Sequence, residues 1–269
     1  MSSDLSDIGF DVNNEEAFYE LIEKAYGKAT SIKADKGTYF LYSDSSGAEL
    51  WIQISKANQL VGVTPYYKGT GRRTVCLSEN VYRKENELDG AFYSWADPAD
   101  KDDPESGVYP FVFDVPNHNS LGDVLLPQDI EIQLSAFAQE VRYYENEEKF
   151  EKQQKGEAKW ASQSFVSSGL FHPDEKSTPK KPPEAFGIFS GIIKQTEKKK
   201  NELTGQEFQW MLVDTLGGEV DVLADLTFFN TEPKVGGVVQ GQFWLTGQLL
   251  TTPLLKKKKG IINRVFGKK

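Results

Sequence analysis

Cysteine and histidine are almost missing from this chain. Its 269 residues hold one cysteine, Cys76, and two histidines, His118 and His172. A single cysteine excludes an internal disulfide framework. The two histidines lie far apart, with no cysteine or second histidine at ligand spacing, which excludes a zinc motif. No apolar run approaches the roughly 20 residues that cross a bilayer. The opening Met1-Ser-Ser-Asp-Leu-Ser-Asp7 has neither a basic region nor an apolar core, so no secretory signal is predicted and a cytoplasmic location is expected. Catalytic signatures are missing too. There is no Gly-x-Ser-x-Gly elbow, and Gly69-Thr-Gly-Arg-Arg73 has the spacing of neither a phosphate loop nor a dinucleotide fingerprint. The acidic loop Asp97–Gly107 breaks the calcium-loop order, with Ala99 and Lys101 where acids are needed and Asp102 where glycine is needed. No metal and no cofactor is expected.

What is present is a globular composition, 38% hydrophobic and 26% charged. The net charge is −9, from 31 basic and 40 acidic residues. Seven of the basic ones crowd the last stretch: Lys256, Lys257, Lys258, Lys259, Arg264, Lys268 and Lys269. Without them 24 basic residues face 40 acidic ones, leaving a body of −16. Such a body repels nucleic acid and anionic membrane. The tail from 254 to 269 has Leu254, Leu255, Ile261, Ile262, Val265 and Phe266 on one side of a helical wheel, a pattern that can touch an anionic surface.

Along the chain, a helix is predicted from about Asn14 to Tyr26, capped by Asn13 with Glu16 completing a capping box. A meander follows, with strands at 38–42, 49–54 and 60–64, the last ended by Pro65. Further strands are expected at 74–78, 90–95 and 109–114. From Ile130 the alternation reads as strand, while Leu134, Phe137, Ala138 and Val141 fit a helix, so strand followed by helix is expected. Residues 145–154 read as an exposed helix or loop, and 160–165 as a short strand. The run from Pro173 to Pro183 holds four of the twelve prolines and marks a linker. These features predict an α+β domain over 1–172 with a mostly antiparallel sheet, a Pro-rich linker over 173–183, a further all-β unit over 184–250 and the basic tail.

In that unit, strands at 186–196, 207–214 and 219–225 precede a non-hairpin connection, Phe228-Phe-Asn-Thr-Glu-Pro233, and a closing stretch, Val235–Gly247. Lys198–Gly205 reads as a polar loop. The segment resembles an OB-fold, a small five-stranded barrel. That resemblance covers about a quarter of the chain and implies an interaction module, in some members for single-stranded nucleic acid. The whole chain also resembles bacterial proteins, which implies no particular activity.

Candidate interaction residues are Lys198, Lys199, Lys200, Trp210 and Trp244 in the barrel, and Lys256, Lys257, Lys258, Lys259 and Arg264 in the tail. Aromatic platforms beside a basic groove would bind single strands. Yet residues 184–250 hold five basic and nine acidic side chains, the wrong sign for tracking phosphates. The expected function is therefore a non-enzymatic binding protein whose acidic body meets a basic protein partner. Two alternatives are a single-stranded nucleic-acid binder and an enzyme with an inter-domain cleft using Asp114, Glu140 or Arg142.

Overall fold

The computed structural model describes residues 4–100, 103–155, 159–167 and 184–257. The helix is α1 (Glu15–Tyr26), and its cap falls one residue later than expected: the Asn14 side chain accepts from the Ala17 N–H at 2.9 Å. It is followed by β1 (Thr30–Lys33), β2 (Gly37–Ser43), β3 (Ala48–Ser55) and β4 (Leu60–Tyr67), an antiparallel sheet in that order. Pro65 does not end β4. It sits opposite Leu50 on an edge strand, where a missing N–H breaks no ladder.

The remaining strands are β5 (Arg73–Tyr82), β6 (Gly90–Ala96), β7 (Pro110–Asp114), β8 (Gln128–Tyr144), β9 (Ser164–Ser167), β10 (Phe186–Lys200), β11 (Glu207–Thr215), β12 (Gly218–Ala224) and β13 (Val238–Leu249). They form one nine-stranded mixed sheet, and α2 (Glu147–Gln153) follows β8. The fold is thus mostly β with two helices among the described residues.

Two expectations fail here. No helix begins at Leu134, because β8 runs as an unbroken strand of 17 residues. Ile130, Ile132, Leu134, Ala136 and Ala138 point into one core, while Phe137 joins another on the opposite face. With both faces covered, the polar alternation that marks a strand disappears. Nor is Lys198–Lys200 a loop; it is the end of β10, opposite Glu207–Gln209, beyond a bulge between Ile193 and Gln195.

Residues 184–250 do not pair among themselves alone. They supply four strands, β10 to β13, and β8 supplies a fifth from before the expected boundary. β10, β11 and β12 form an antiparallel meander, β12 runs parallel to β8 at Leu223↔Phe137, β8 is antiparallel to β13, and β13 returns to β10. The ring closes. Another ring, the first in chain order, closes through the same antiparallel pair, β8 and β13: β5–β6–β7, then β7 parallel to β13 at Thr246↔Asp114, β13 to β8, and β8 back to β5. One core fills both rings, from Leu77, Phe92 and Phe113 to Phe189, Met211 and Phe243. The expected linker lies outside the described residues.

The four-stranded sheet and α1 lie on the outer face of β11, β12 and β8. Leu50, Ile52 and Tyr67 share a core there with Phe208, Trp210, Leu212 and Leu223. Asp221, fully buried, fastens this layer. Its carboxylate accepts from the indole N–H of Trp210 at 2.8 Å, from the Gln133 side chain at 2.8 Å, and from the backbone N–H groups of Thr70 and Gly71 at 3.2 and 2.9 Å. Tyr66 donates to Gln133. The connection from β4 to β5 must pass close: a Cβ on Gly69 would stand 2.1 Å from the Asp221 carboxyl, which four donors hold in place. Gly69→Ala is expected to lower stability by about 2 kcal/mol in urea unfolding, as overpacking does elsewhere. An unchanged midpoint would show that the carboxyl can move aside.

Candidate functional site

A cleft of about 250 Å³ opens where β4 approaches the first ring, lined by Thr64, Arg83, Glu85, Asp89, Gly90, Asp114, Val115 and Trp244. Three elements bring its acids together. Asp114 ends β7, Asp89 precedes β6, and Glu85 lies on the connection between β5 and β6. Trp244 reaches in from β13 and donates its indole N–H to Asp114 Oδ2 at 2.8 Å, while the Arg83 guanidinium holds Asp114 Oδ1 at 2.7 Å. Asp89 Oδ1 accepts from the Gln53 side chain at 2.8 Å. Burial pushes the Asp89 carboxyl above the usual range, the Asp114 charge adds to this, and the Gln53 hydrogen bond opposes it. One basic group, Arg83, thus faces three acidic ones. The cleft carries excess negative charge beside an aromatic wall.

Behind Gly90, outside the lining of the cleft, packs His118. A Cβ on Gly90 would meet the imidazole Nδ1 at 2.3 Å, so only glycine lets ring and strand approach this closely. His118 is 7% exposed, with Nε2 3.1 Å from Asn80 Oδ1. Desolvation pushes its pKa from 6.5 down to about 4. A depressed folded-state pKa means that the unfolded chain binds the proton first. The neutral ring's contribution is complete above pH 6.5 and is lost as pH falls toward 4, at about 1.4 kcal/mol per unit. Relative to His118→Gln, the wild type should therefore lose about 3 kcal/mol between pH 7 and pH 4. Urea midpoints of both proteins at the two pH values check this, and parallel losses would refute it.

Of the residues singled out in the sequence, Trp244 lies in this cleft. Trp210 does not reach a surface: it is 6% exposed, packs beside Tyr67 and gives its N–H to Asp221. Lys199 stands over the Trp210 ring at 5.2 Å and pairs with Glu197 at 2.8 Å. Lys198 lines a separate cleft with Phe229, Asn230 and Glu232, and Lys200 is exposed at the strand end. Lys256 pairs with Asp123 at 3.3 Å, and Lys257 is exposed. Lys258, Lys259 and Arg264 lie outside the described residues, as does His172. Asp114 lines the cleft, whereas Glu140 and Arg142 are exposed on β8, opposite Gln242 and Gln240. The sequence reading missed Arg83, Glu85 and Asp89, which carry no motif and meet only through the fold. No group of three or more His, Cys, Asp or Glu arranged to hold a metal occurs among the described residues, and no helix among them is long and apolar enough to cross a membrane. Comparison with known proteins finds no matching family model, no matching curated protein and no matching solved structure.

Proposed function

We propose that this chain is a non-enzymatic binding protein built on OB-type barrels, and that its Trp244 cleft receives a basic group of a protein partner. The observation that carries the reading is the convergence of Glu85, Asp89 and Asp114 on one aromatic-walled cleft with a single arginine. The strand order of each ring supports the barrel part: a three-stranded meander, with its third strand parallel to a fifth that pairs with the fourth. A cationic side chain gains both from the acids and from the indole face.

Nucleic acid is the weaker reading. Trp210, the better placed platform, is buried, and Trp244 packs on Phe137 at 5.2 Å between ring centres. Catalysis is weaker too, although Asp89 is perturbed. Both Asp114 oxygens already accept hydrogen bonds, Asp89 is held by Gln53, and the cleft contains no cysteine, serine or histidine at its surface.

A tetra-arginine peptide titrated against intrinsic tryptophan fluorescence tests the reading. Saturable binding is expected, falling steeply with salt, and weakened at least fivefold by Glu85→Gln combined with Asp89→Asn. Absence of binding at millimolar peptide sinks it. Retention of single-stranded DNA through Lys198 and Lys200 would move the reading to nucleic acid.

A further inference from the structure

The two rings repeat each other pair for pair. In the first, Val75↔Ala96, Cys76↔Trp95 and Leu77↔Ser94 precede a bulge, after which Glu79↔Tyr93, Asn80↔Phe92 and Val81↔Ala91 resume. In the second, Gly191↔Thr215, Ile192↔Asp214 and Ile193↔Val213 precede a bulge, after which Gln195↔Leu212, Thr196↔Met211 and Glu197↔Trp210 resume. The bulge falls at the same step. The match continues into the next strand, where Ala91↔Asp114 and Tyr93↔Val112 correspond to Trp210↔Leu223 and Leu212↔Asp221. It also holds at the ring closures: Asp114 meets Thr246 as Leu223 meets Phe137. The rings are two copies of one unit that share β8 and β13, each lending the other its fifth strand.

This correspondence identifies the cleft. In the second copy Phe208, Trp210 and Leu223 form an apolar seat, and the chain's own residues 4–10 lie on it. Gly9 fits against Phe208, the Ile8 and Gly9 carbonyls accept from Asn201 and Thr204 at 2.9 and 2.6 Å, and buried Asp7 accepts from the Asp225 N–H at 2.9 Å. In the first copy the same three positions are Asp89, Ala91 and Asp114. Ala91 is fully buried among Val112, Ala185 and Trp244, so the part of this seat that stays open lies beside Asp89 and Asp114, and the two aspartates reverse the chemistry. Pro116 stands where Asp225 stands and has no N–H, so the anchor that holds Asp7 does not exist in this copy.

We infer that the Trp244 cleft is the second copy of this docking seat, and that it accepts a short turn of a protein partner bearing basic side chains where residues 4–10 bear acidic ones. This rests on the cleft reading above and adds the shape of the occupant. Charge complementarity selects it: a segment like the chain's own, carrying acids, would face Asp89, Asp114 and Glu85.

The probe is a peptide of residues 4–12 of this chain with Asp4, Asp7 and Asp11 each replaced by lysine, titrated against the full chain, with the unaltered peptide as control. The lysine peptide is expected to bind at least tenfold tighter than both the unaltered peptide and tetra-arginine. It should protect amides at 83–90 and 112–115 from exchange. Binding should weaken at least fivefold in the Glu85→Gln, Asp89→Asn double variant, whose changes are at an exposed and a half-buried position respectively, and stay unchanged in Lys198→Ala. Equal binding of the unaltered peptide, or protection elsewhere, overturns the inference. If tetra-arginine engages the cleft and the lysine peptide binds no tighter, the seat is wrong and the cleft reading survives. If neither binds, both fall.

Discussion

Asp221→Ala is expected to cost at least about 4 kcal/mol. The side chain takes four hydrogen bonds while fully buried. Removing it strands the Trp210 indole N–H, the Gln133 amide and two backbone N–H groups, and each buried unsatisfied donor costs about 1–3 kcal/mol. Against a total stability of about 5–15 kcal/mol, such a loss leaves a marginal protein. Burial raises the Asp221 carboxyl above its ordinary pKa, and its four donors pull the other way. For a carboxyl whose folded pKa is raised, stability rises as pH falls through that pKa. Urea unfolding at pH 7 measures the loss. A change below about 1 kcal/mol would mean that water enters and replaces the carboxylate.

The second large effect concerns the shared strand pair, β8 and β13. Phe243 stacks on Phe189 at 4.1 Å between ring centres and is fully buried. Phe243→Ala should cost about 3–5 kcal/mol. It should act at a distance as well. Because β8 and β13 belong to both rings, the protein should unfold in one transition. Amide protection should then fall in β5–β7 by as much as in β10–β12. Two resolved transitions, or protection lost in the second ring alone, would show that the rings are energetically separate.

The sequence disclosed elements wherever polar and apolar residues alternate at one period. The Phe18, Leu21, Ile22, Ala25 stripe located α1, and the alternation of Leu50, Ile52 and Ile54 with Glu49 and Gln53 located β3, although both faces of β3 are buried. The sequence was mute where both faces are apolar. In β8, Phe137 serves one core and Ala136 and Ala138 the other, which imitates a helical pattern. The repeat was hidden for a related reason. What the copies share is pairing register and the place of a bulge, whereas facing residues differ as widely as Trp210 and Ala91. Of the cleft, Trp244 and Asp114 drew attention as isolated residues. Their convergence with Asp89 depends on a parallel pairing between Asp114 and Thr246 that no local pattern encodes.

The exchange of fifth strands also bears on how the chain is made. A ribosome delivers β5, β6 and β7 early, but the strand that closes their ring is β13, the last strand described. Until residues near Thr246 have left the exit tunnel, the first ring has an open edge and an unsealed interior, and the second lacks the same strand. Neither can be completed ahead of the other. Closure of either ring is therefore deferred until β13 has emerged, and until then the nascent chain carries exposed strand edges, the period in which pairing with the wrong chain is easiest.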